Sequence, residues 1–267
     1  MKAQNEMCRW IAYKGQPIFL ETLVAAPERS LIAQSLNAAE GVTPTNGDGF
    51  GLGWYGDRPE PGLYRELRPA WSDENLRHIC AQVRSSLFFA HVRASTGTAS
   101  TRANCHPFVH GRHMFMHNGQ VGGYATLKRR LEALIPDEFY DARFGTTDSE
   151  ALFLAALGFG LKDDPLGATA KMLKRVRDII DRAGTGEPLR FTSALTDGET
   201  IWAFRWATDD KAPSLYWRES REGLVVVSEP LDGEKGCWRE VPQGCTLVAG
   251  PGGAEIRCMN AEIRKAA

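Results

Sequence analysis

The apolar positions of the chain fall into short runs bounded by turn residues, with a few segments of helical spacing between them. Met7–Ala12 reads as a short strand, and Leu87–Arg93 (LFFAHVR) and Arg112–His117 (RHMFMH) read as buried ones. Asn46–Asp57 is a glycine-rich turn running into a strand that Pro59–Gly62 ends. Helical spacing covers Arg29–Ala39. Ser72 is placed to cap a helix reaching about Arg84, with Asp73 and Glu74 in its first turn. Thr147-Asp148-Ser149-Glu150 has the capping-box form and leads into the apolar segment Ala151–Phe159. A further helix spans Leu166–Ala183 and closes at Gly184. Beyond it the pattern returns to short strands, Arg190–Leu195, Thr200–Trp206, Ser214–Arg218, Leu224–Ser228 and Thr246–Ala249, separated by turn residues such as Asp197-Gly198. Strands, then helices, then more antiparallel strands predict an α+β layered fold. With no linker or repeat in between, residues 8–267 are expected to form a single domain and residues 1–7 an extension.

Composition narrows the function classes. A chain of 267 residues with 43% apolar and 24% charged residues has the makeup of an ordinary globular protein. Its net charge of -1 gives no reason to expect nucleic acid or an acidic membrane as partner. The basic stretch Lys171–Arg182 fits the solvated face of an amphipathic helix. Ala151–Gly160, the longest apolar run, falls short of the roughly 18 residues a membrane span needs. MKAQNEM lacks the apolar region of a secretory signal. Six cysteines without a CxxC pair suggest reduced thiols in a cytoplasm, with neither a disulfide framework nor a zinc site.

Three patterns invite chemistry and fail on context. Gly51-Leu52-Gly53-Trp54-Tyr55-Gly56 matches GxGxxG, but a turn follows where a dinucleotide site needs a helix. His106, His110, His113 and His117 crowd together, yet Pro107, Gly111 and the strand-like run around Met114–Met116 exclude the helix that would align them on a metal. Cys105 and His106 are neighbours on an extended segment and point apart, so Cys105 reads as a small core residue.

What remains is Cys8, Arg93, His106, Asn118-Gly119 and Asp148. Singly, Arg93 reads as a surface ion pair, Asn118-Gly119 as a hairpin turn and Asp148 as helix-start charge. Together they read as acyl-transfer machinery: a thiol to attack a carbonyl, an amide and a backbone N–H for the oxyanion, an arginine for a carboxylate and an aspartate for an ammonium. An amino acid with a side-chain acyl group, such as glutamine, would satisfy all of them.

MCRW, NGDGFGLGWY, HVRAST, NCHPF, FMHNGQV and TTDSE together resemble the class II glutamine amidotransferases, which are Ntn hydrolases. The likeness is closer to the stand-alone bacterial members, and EPLDGEKGCWREVPQG resembles their tail. The resemblance implies a four-layer αββα sandwich with two antiparallel sheets, and it needs no cofactor or metal. It implies Cys8 as nucleophile with its own α-amine as general base. Asn118 and Gly119 would form the oxyanion hole, Arg93 would bind the substrate carboxylate and Asp148 its ammonium. Thr96 and His106 fall where the family has pocket-lining residues. Many members have glycine where this chain has Arg9, and synthase members place an aromatic and a histidine at the positions of Ala94 and Gly97. A pocket widened in this way would accept a γ-glutamyl compound larger than glutamine.

A free α-amine, with a pKa of about 7.7–8.0, takes a thiol proton, whereas a peptide nitrogen does not. Cys8 is therefore expected to become the first residue, through a start at Met7 with removal of that methionine or through cleavage of Met1–Met7 as a propeptide. The 267 residues leave no room for an ammonia-consuming domain. Three functions follow as expectations: a glutaminase supplying a separate synthetase subunit, a hydrolase of a larger γ-glutamyl amide as in ergothioneine biosynthesis, and an inactive glutamine-binding module.

Overall fold

Side-chain alternation sorts the strands into three apolar layers, and those layers define the architecture. The computed structural model describes residues 8–39, 45–94, 99–234 and 236–265. Its strands are β1 (Arg9–Phe19), β2 (Phe50–Trp54), β3 (Gly62–Glu66), β4 (Arg84–Val92), β5 (Phe108–His110), β6 (His113–Val121), β7 (Leu189–Thr196), β8 (Ile201–Ala207), β9 (Tyr216–Glu219), β10 (Gly223–Val227), β11 (Arg239–Glu240), β12 (Cys245–Gly250) and β13 (Gly253–Cys258). Its helices are α1 (Glu21–Val24), α2 (Leu31–Leu36), α3 (Glu74–Gln82), α4 (Tyr124–Glu132), α5 (Asp137–Tyr140), α6 (Asp148–Gly158), α7 (Pro165–Ala183) and α8 (Met259–Lys265). One sheet has seven strands in the order β11-β9-β10-β1-β4-β2-β3, and the other has six in the order β13-β12-β8-β7-β6-β5. Every strand pair is antiparallel.

On β1, Ile11 and Tyr13 face α1–α3 and pack with Leu23, Leu31 and Leu76, while Trp10 and Ala12 face the second sheet. On β6, Phe115 and Val121 face the helices and pack with Leu127, Phe153 and Val176, while Met114 and Met116 face the first sheet. The result is helices, sheet, sheet, helices: the four-layer αββα sandwich. Ala151–Leu157 of α6 is buried all round because its helix is enclosed on every side, which explains why the run shows no polar face. In α7 the apolar stripe Met172, Leu173, Val176 and Ile180 is buried, and Lys171, Arg175 and Arg177 are exposed, so the basic stretch is a solvated helix face. No helix among the described residues is long and apolar enough to cross a membrane.

Local chemistry adjusts several expected boundaries. Asp73 caps α3 in place of Ser72: its Oδ1 accepts the Leu76 N–H at 2.8 Å, while Ser72 closes a 3-10 turn and donates to the Pro69 carbonyl at 3.1 Å. At α6, Thr147 Oγ1 accepts the Glu150 N–H at 3.3 Å, the first half of a capping box. The second half is absent because Glu150 instead accepts from the N–H groups of Phe144 and Gly145 and pairs with Arg143. Gly184, with φ of +64°, ends α7 as expected. Strand β1 runs seven residues past the expected Ala12, through an irregularity between Lys14 and Ile18 in its pairing with β4.

The GLGWYG pattern has a packing explanation. Gly51 and Gly53 of β2 turn toward the inter-sheet layer, where a Cβ on Gly51 would lie 2.1 Å from the His106 carbonyl oxygen and one on Gly53 2.4 Å from Met114 Sδ. The glycines let the His106-Pro107 segment and β6 press against β2.

Candidate active site

The antiparallel pairing of β1 with β4 puts the start of one strand beside the end of the other. Arg9 is opposite Val92 and Trp10 is opposite His91, so Cys8 and Arg93 emerge at the same edge of the sheet. The Cys8 thiol is held against Ala94, whose N–H donates to Sγ at 3.4 Å while the thiol donates to the Ala94 carbonyl at 3.5 Å. Burial pushes the Cys8 thiol pKa up, and the Ala94 N–H and the Arg93 and Arg9 guanidinium groups partly offset it. At neutral pH the group is thus a protonated thiol that needs a base before it can attack.

Asn118 reaches Cys8 from the other sheet. Its Nδ2 donates to the Cys8 carbonyl at 2.7 Å, and Arg9 Nη1 donates to the same oxygen at 3.1 Å. An acceptor-only carbonyl sets which end of the amide faces Cys8, so the Asn118 N–H groups lie on the Cys8 side. Asn118-Gly119 is not a hairpin turn: β6 continues through it, with Asn118 opposite Thr192 and Gly119 opposite Phe191. Gly119 has φ of +153°, and a Cβ there would sit 2.0 Å from the Arg190 carbonyl oxygen and 2.6 Å from His117 Nε2. The position therefore excludes side chains.

Behind Cys8, Arg9 is buried and pairs through Nε with Glu229 Oε2 at 2.8 Å. Glu229 Oε1 accepts the Ala39 N–H at 3.0 Å, and Ser228 Oγ accepts the Trp10 N–H at 3.0 Å. The Ser228-Glu229 segment of the C-terminal third thus holds the start of β1, a role that its sequence did not signal.

One cleft is lined by Cys8, Arg93, His106, Asn118, Gly119 and Asp148. Arg93 donates to the carbonyl oxygens of Asp48 and Ala99 at 3.4 and 3.5 Å. Asp148 opens α6, where Oδ2 accepts the Val121 N–H at 2.9 Å and Oδ1 accepts the Ser149 N–H at 2.7 Å. These bonds fix its carboxylate and leave acceptor capacity for a further donor. Thr96 lies outside the described residues, as do Gly97 and Met1–Met7.

The wall also includes Ala94 and Thr147, together with three motif residues to which the sequence assigned no catalytic or binding role: Asn104, His117 and Ser149. His117 stands beside Asn118 in FMHNGQV and Ser149 beside Asp148 in TTDSE, and the fold joins them, with His117 Nδ1 2.9 Å from Ser149 Oγ. His91 lies beneath, its ring 4.3 Å from that of His106. Burial, with the Arg93 and His117 charges, lowers its pKa to about 3, and burial lowers His106 and His117 as well, so all three are neutral at pH 7. Of the four clustered histidines, His106 and His117 line the cleft, while His110 and His113 pair across the β5–β6 hairpin. Cys105 is buried, its Sγ 3.7 Å from the Glu66 and Thr101 carbonyl oxygens and its pKa pushed up to about 11 by burial, which makes it a core residue. Among the described residues, no cluster of three or more histidine, cysteine, aspartate or glutamate side chains is arranged to hold a metal ion.

The profile of the family described as class-II glutamine amidotransferases matches residues 26–213. The chain is 34% identical to the probable glutamine amidotransferase DUG3 of Saccharomyces cerevisiae, covering 91% of this chain and 81% of that protein. It is 29% identical to the gamma-glutamyl-hercynylcysteine sulfoxide hydrolase of Mycolicibacterium smegmatis, covering 88% and 92%. Among solved structures, a glutamine aminotransferase class-II domain protein from Silicibacter pomeroyi is 42% identical, with a TM-score of 0.75 over 94% of this chain and 99% of that one. The glutamine phosphoribosylpyrophosphate amidotransferase of Bacillus subtilis shares the fold at 14% identity and a TM-score of 0.60, over 94% of this chain and 49% of that one.

Proposed function

Because the chain belongs to the class II glutamine amidotransferases, we propose that it is an amidohydrolase acting through Cys8 on the side-chain amide of glutamine or a related γ-glutamyl amide. The observation that carries this reading is the convergence on one cleft of a thiol, a guanidinium and an amide from the two sheets and a carboxylate from the start of α6. A guanidinium and a carboxylate suit the α-carboxylate and α-ammonium of an amino acid, and the Asn118 amide lies on the nucleophile's side.

In the proposed reaction Cys8 is the first residue of the working chain, freed by removal of residues 1–7. Its α-amine takes the thiol proton, and the thiolate attacks the side-chain carbonyl. The Asn118 side chain and the Gly119 N–H receive the charge that develops on oxygen. The amine returns the proton to the departing nitrogen, ammonia leaves, and water then opens the thioester to release glutamate. Ammonia goes either to solvent or to a separate synthetase subunit.

One observation favours a larger substrate as a second reading. Ala94, where synthase relatives carry an aromatic residue, lines the cleft beside Cys8 Sγ, and its methyl group fills less of that wall than an aromatic ring would. The Mycolicibacterium relative carries a γ-glutamyl substrate in its name. Turnover of glutamine against that of bulkier γ-glutamyl amides distinguishes the two, and a preference for the bulkier compounds selects the second.

The test of the common mechanism is the intact mass of untagged protein before and after an electrophilic glutamine analogue. The expected species starts at Cys8 and gains one adduct, and Cys8→Ala gains none and hydrolyses nothing. Hydrolysis retained by Cys8→Ala would sink the mechanism. Retention of Met1–Met7 without an adduct would mean a binding protein or an unprocessed precursor.

A further inference from the structure

Outside the cleft, two cysteines with no role in the reaction meet across the terminal hairpin. Strands β12 and β13 pair in a continuous register from Gly250↔Gly253 to Cys245↔Cys258. Only Pro251 and Gly252 separate Gly250 from Gly253, so that closing pair exchanges both of its backbone hydrogen bonds. Hydrogen-bonded and non-hydrogen-bonded pairs alternate from there along the ladder. Counting outward through 249/254, 248/255, 247/256 and 246/257 makes Cys245/Cys258 a non-hydrogen-bonded pair. In such pairs the Cα atoms are about 4.5 Å apart and both side chains leave the same face, within the range that a disulfide spans.

We propose that Cys245 and Cys258 form a reversible dithiol–disulfide site that fastens the edge strand of the six-stranded sheet. Both are free thiols here, Cys258 exposed and Cys245 half-buried at the margin of the inter-sheet layer. The electrostatic influence of Cys258, added to burial, raises the Cys245 thiol pKa, consistent with their proximity. Strand β13 is at the outer end of its sheet and mostly exposed, and the next residue, Met259, is buried and begins α8. A bond here would tie the unprotected edge and the terminal helix to β12, whose other neighbour is β8.

The chemistry is thiol–disulfide exchange with a low-molecular-weight disulfide. The thiolate of exposed Cys258 attacks one sulfur of the reagent, forming a mixed disulfide and releasing one small thiol. The Cys245 thiolate then attacks Cys258 Sγ, forming the cross-strand bond and releasing the second small thiol. Two protein thiols are oxidised and one reagent disulfide is reduced. Cross-strand Cβ separations lie at the upper end of what disulfides favour, so the bond is expected to be readily reduced and the site reversible. Strands β8 and β7 lie between β12 and β6, so at roughly 4.8 Å per strand the pair is on the order of 14 Å from the Asn118 strand. The bond is therefore expected to leave hydrolysis unchanged.

The experiment treats the full-length protein with cystamine, a small disulfide without a γ-glutamyl group, and follows intact mass and the non-reducing peptide map. The expected product has lost two hydrogens through a Cys245–Cys258 link, has a higher thermal midpoint, and returns to the dithiol with dithiothreitol. Cys245→Ser should stop at a stable cystamine adduct on Cys258, because the resolving thiol is gone. Stable adducts on Cys258 in the unsubstituted protein, or a link from Cys258 to exposed Cys237, would overturn the proposal. So would cross-linking that leaves the Cys245–Cys258 peptides unjoined.

Discussion

The layer between the two sheets has two halves of opposite character, built on the same strands. In one half, Trp10 and Ala12 of β1, Leu87 and Phe89 of β4, and Met114 and Met116 of β6 form a dry apolar core. One alternation step further, the same face carries Cys8, His91 with Arg93 after it, and Asn118. The antiparallel pairing of β1 with β4 makes the two changes coincide in space, and β6 supplies its polar end from across the layer. The apolar half gains from leaving water. The polar half sacrifices part of that gain, since both ring nitrogens of His91 and His106 and the Asn118 Oδ1 are buried without a hydrogen-bond partner among the described residues. The site is a region where the core has exchanged stability for chemistry without changing its strand pattern, and its residues should therefore respond differently to substitution.

The sharpest separation is expected from one substitution on each side. Asn118→Ala should lower kcat by about 10²–10³ through loss of an oxyanion donor, with unfolding barely shifted, since Arg9 still holds the Cys8 carbonyl. Steady-state kinetics and urea unfolding on the same sample check both halves of that statement. Phe89→Ala should do the converse, costing about 3–5 kcal/mol of stability while the remaining folded molecules keep their kcat. Active-site titration with the electrophilic analogue corrects for the folded fraction. If Phe89→Ala lowers kcat per titrated site as much as Asn118→Ala does, the two halves are not separable.

Glu229→Gln probes the boundary between them. Arg9 sits on the helix-facing side of β1, yet it donates to the Cys8 carbonyl and is paired with Glu229. Neutralising one partner of a buried pair leaves the other charge uncompensated, so a cost of about 3 kcal/mol is expected, together with slower labelling of Cys8. Unchanged unfolding with slower labelling would place Glu229 with the chemistry alone. The reverse result would place it with the core.

How much of this was legible follows from the same contrast. The buried-strand runs LFFAHVR and RHMFMH, the cap Thr147 and the stop at Gly184 are local signals, and the fold obeys them. Five of the six motifs carry Cys8, Arg93, His106, Asn118, Gly119 and Asp148, to which the resemblance gave roles, and all six residues line the cleft. Non-local pairing was not legible. Asn118-Gly119 has the local form of a hairpin turn, but pairing of β6 with β7 along its whole length keeps it extended. Strand β13 was missed because its side chains are largely exposed and β12 alone supports it, so no apolar pattern marks it. Helix α4 begins after Gly123, whose φ is +71° and which has no side chain to cap it, leaving no start signal to read. His91 drew no notice because its meaning lies in what packs against it, the ring of His106 from another strand connection.

The smallest expected effect is a pH dependence carried by buried histidines, three of them in the polar half, to which His110 and His113, also lowered by burial, add in the same direction. Burial, reinforced by the charges of Arg93 and His117, lowers the His91 pKa to about 3, against about 6.5 for an unfolded chain. Between these values the unfolded chain binds the proton and the folded one does not. Stability is therefore complete above about pH 6.5 and declines as pH falls toward 3, by about 1.4 kcal/mol per pH unit for each such histidine. His106 and His117 are lowered for the same leading reason and act in the same direction. The paired carboxylates, with pKa values lowered from about 4 and below, contribute at more acidic pH, so pH 7 to 5 isolates the histidines. Urea unfolding across that window should show stability rising with pH, and His91→Gln should reduce the slope by one proton's worth. Parallel curves for the two proteins would mean that His91 can be protonated within the folded layer, and the polar half would then be wetter than its burial indicates.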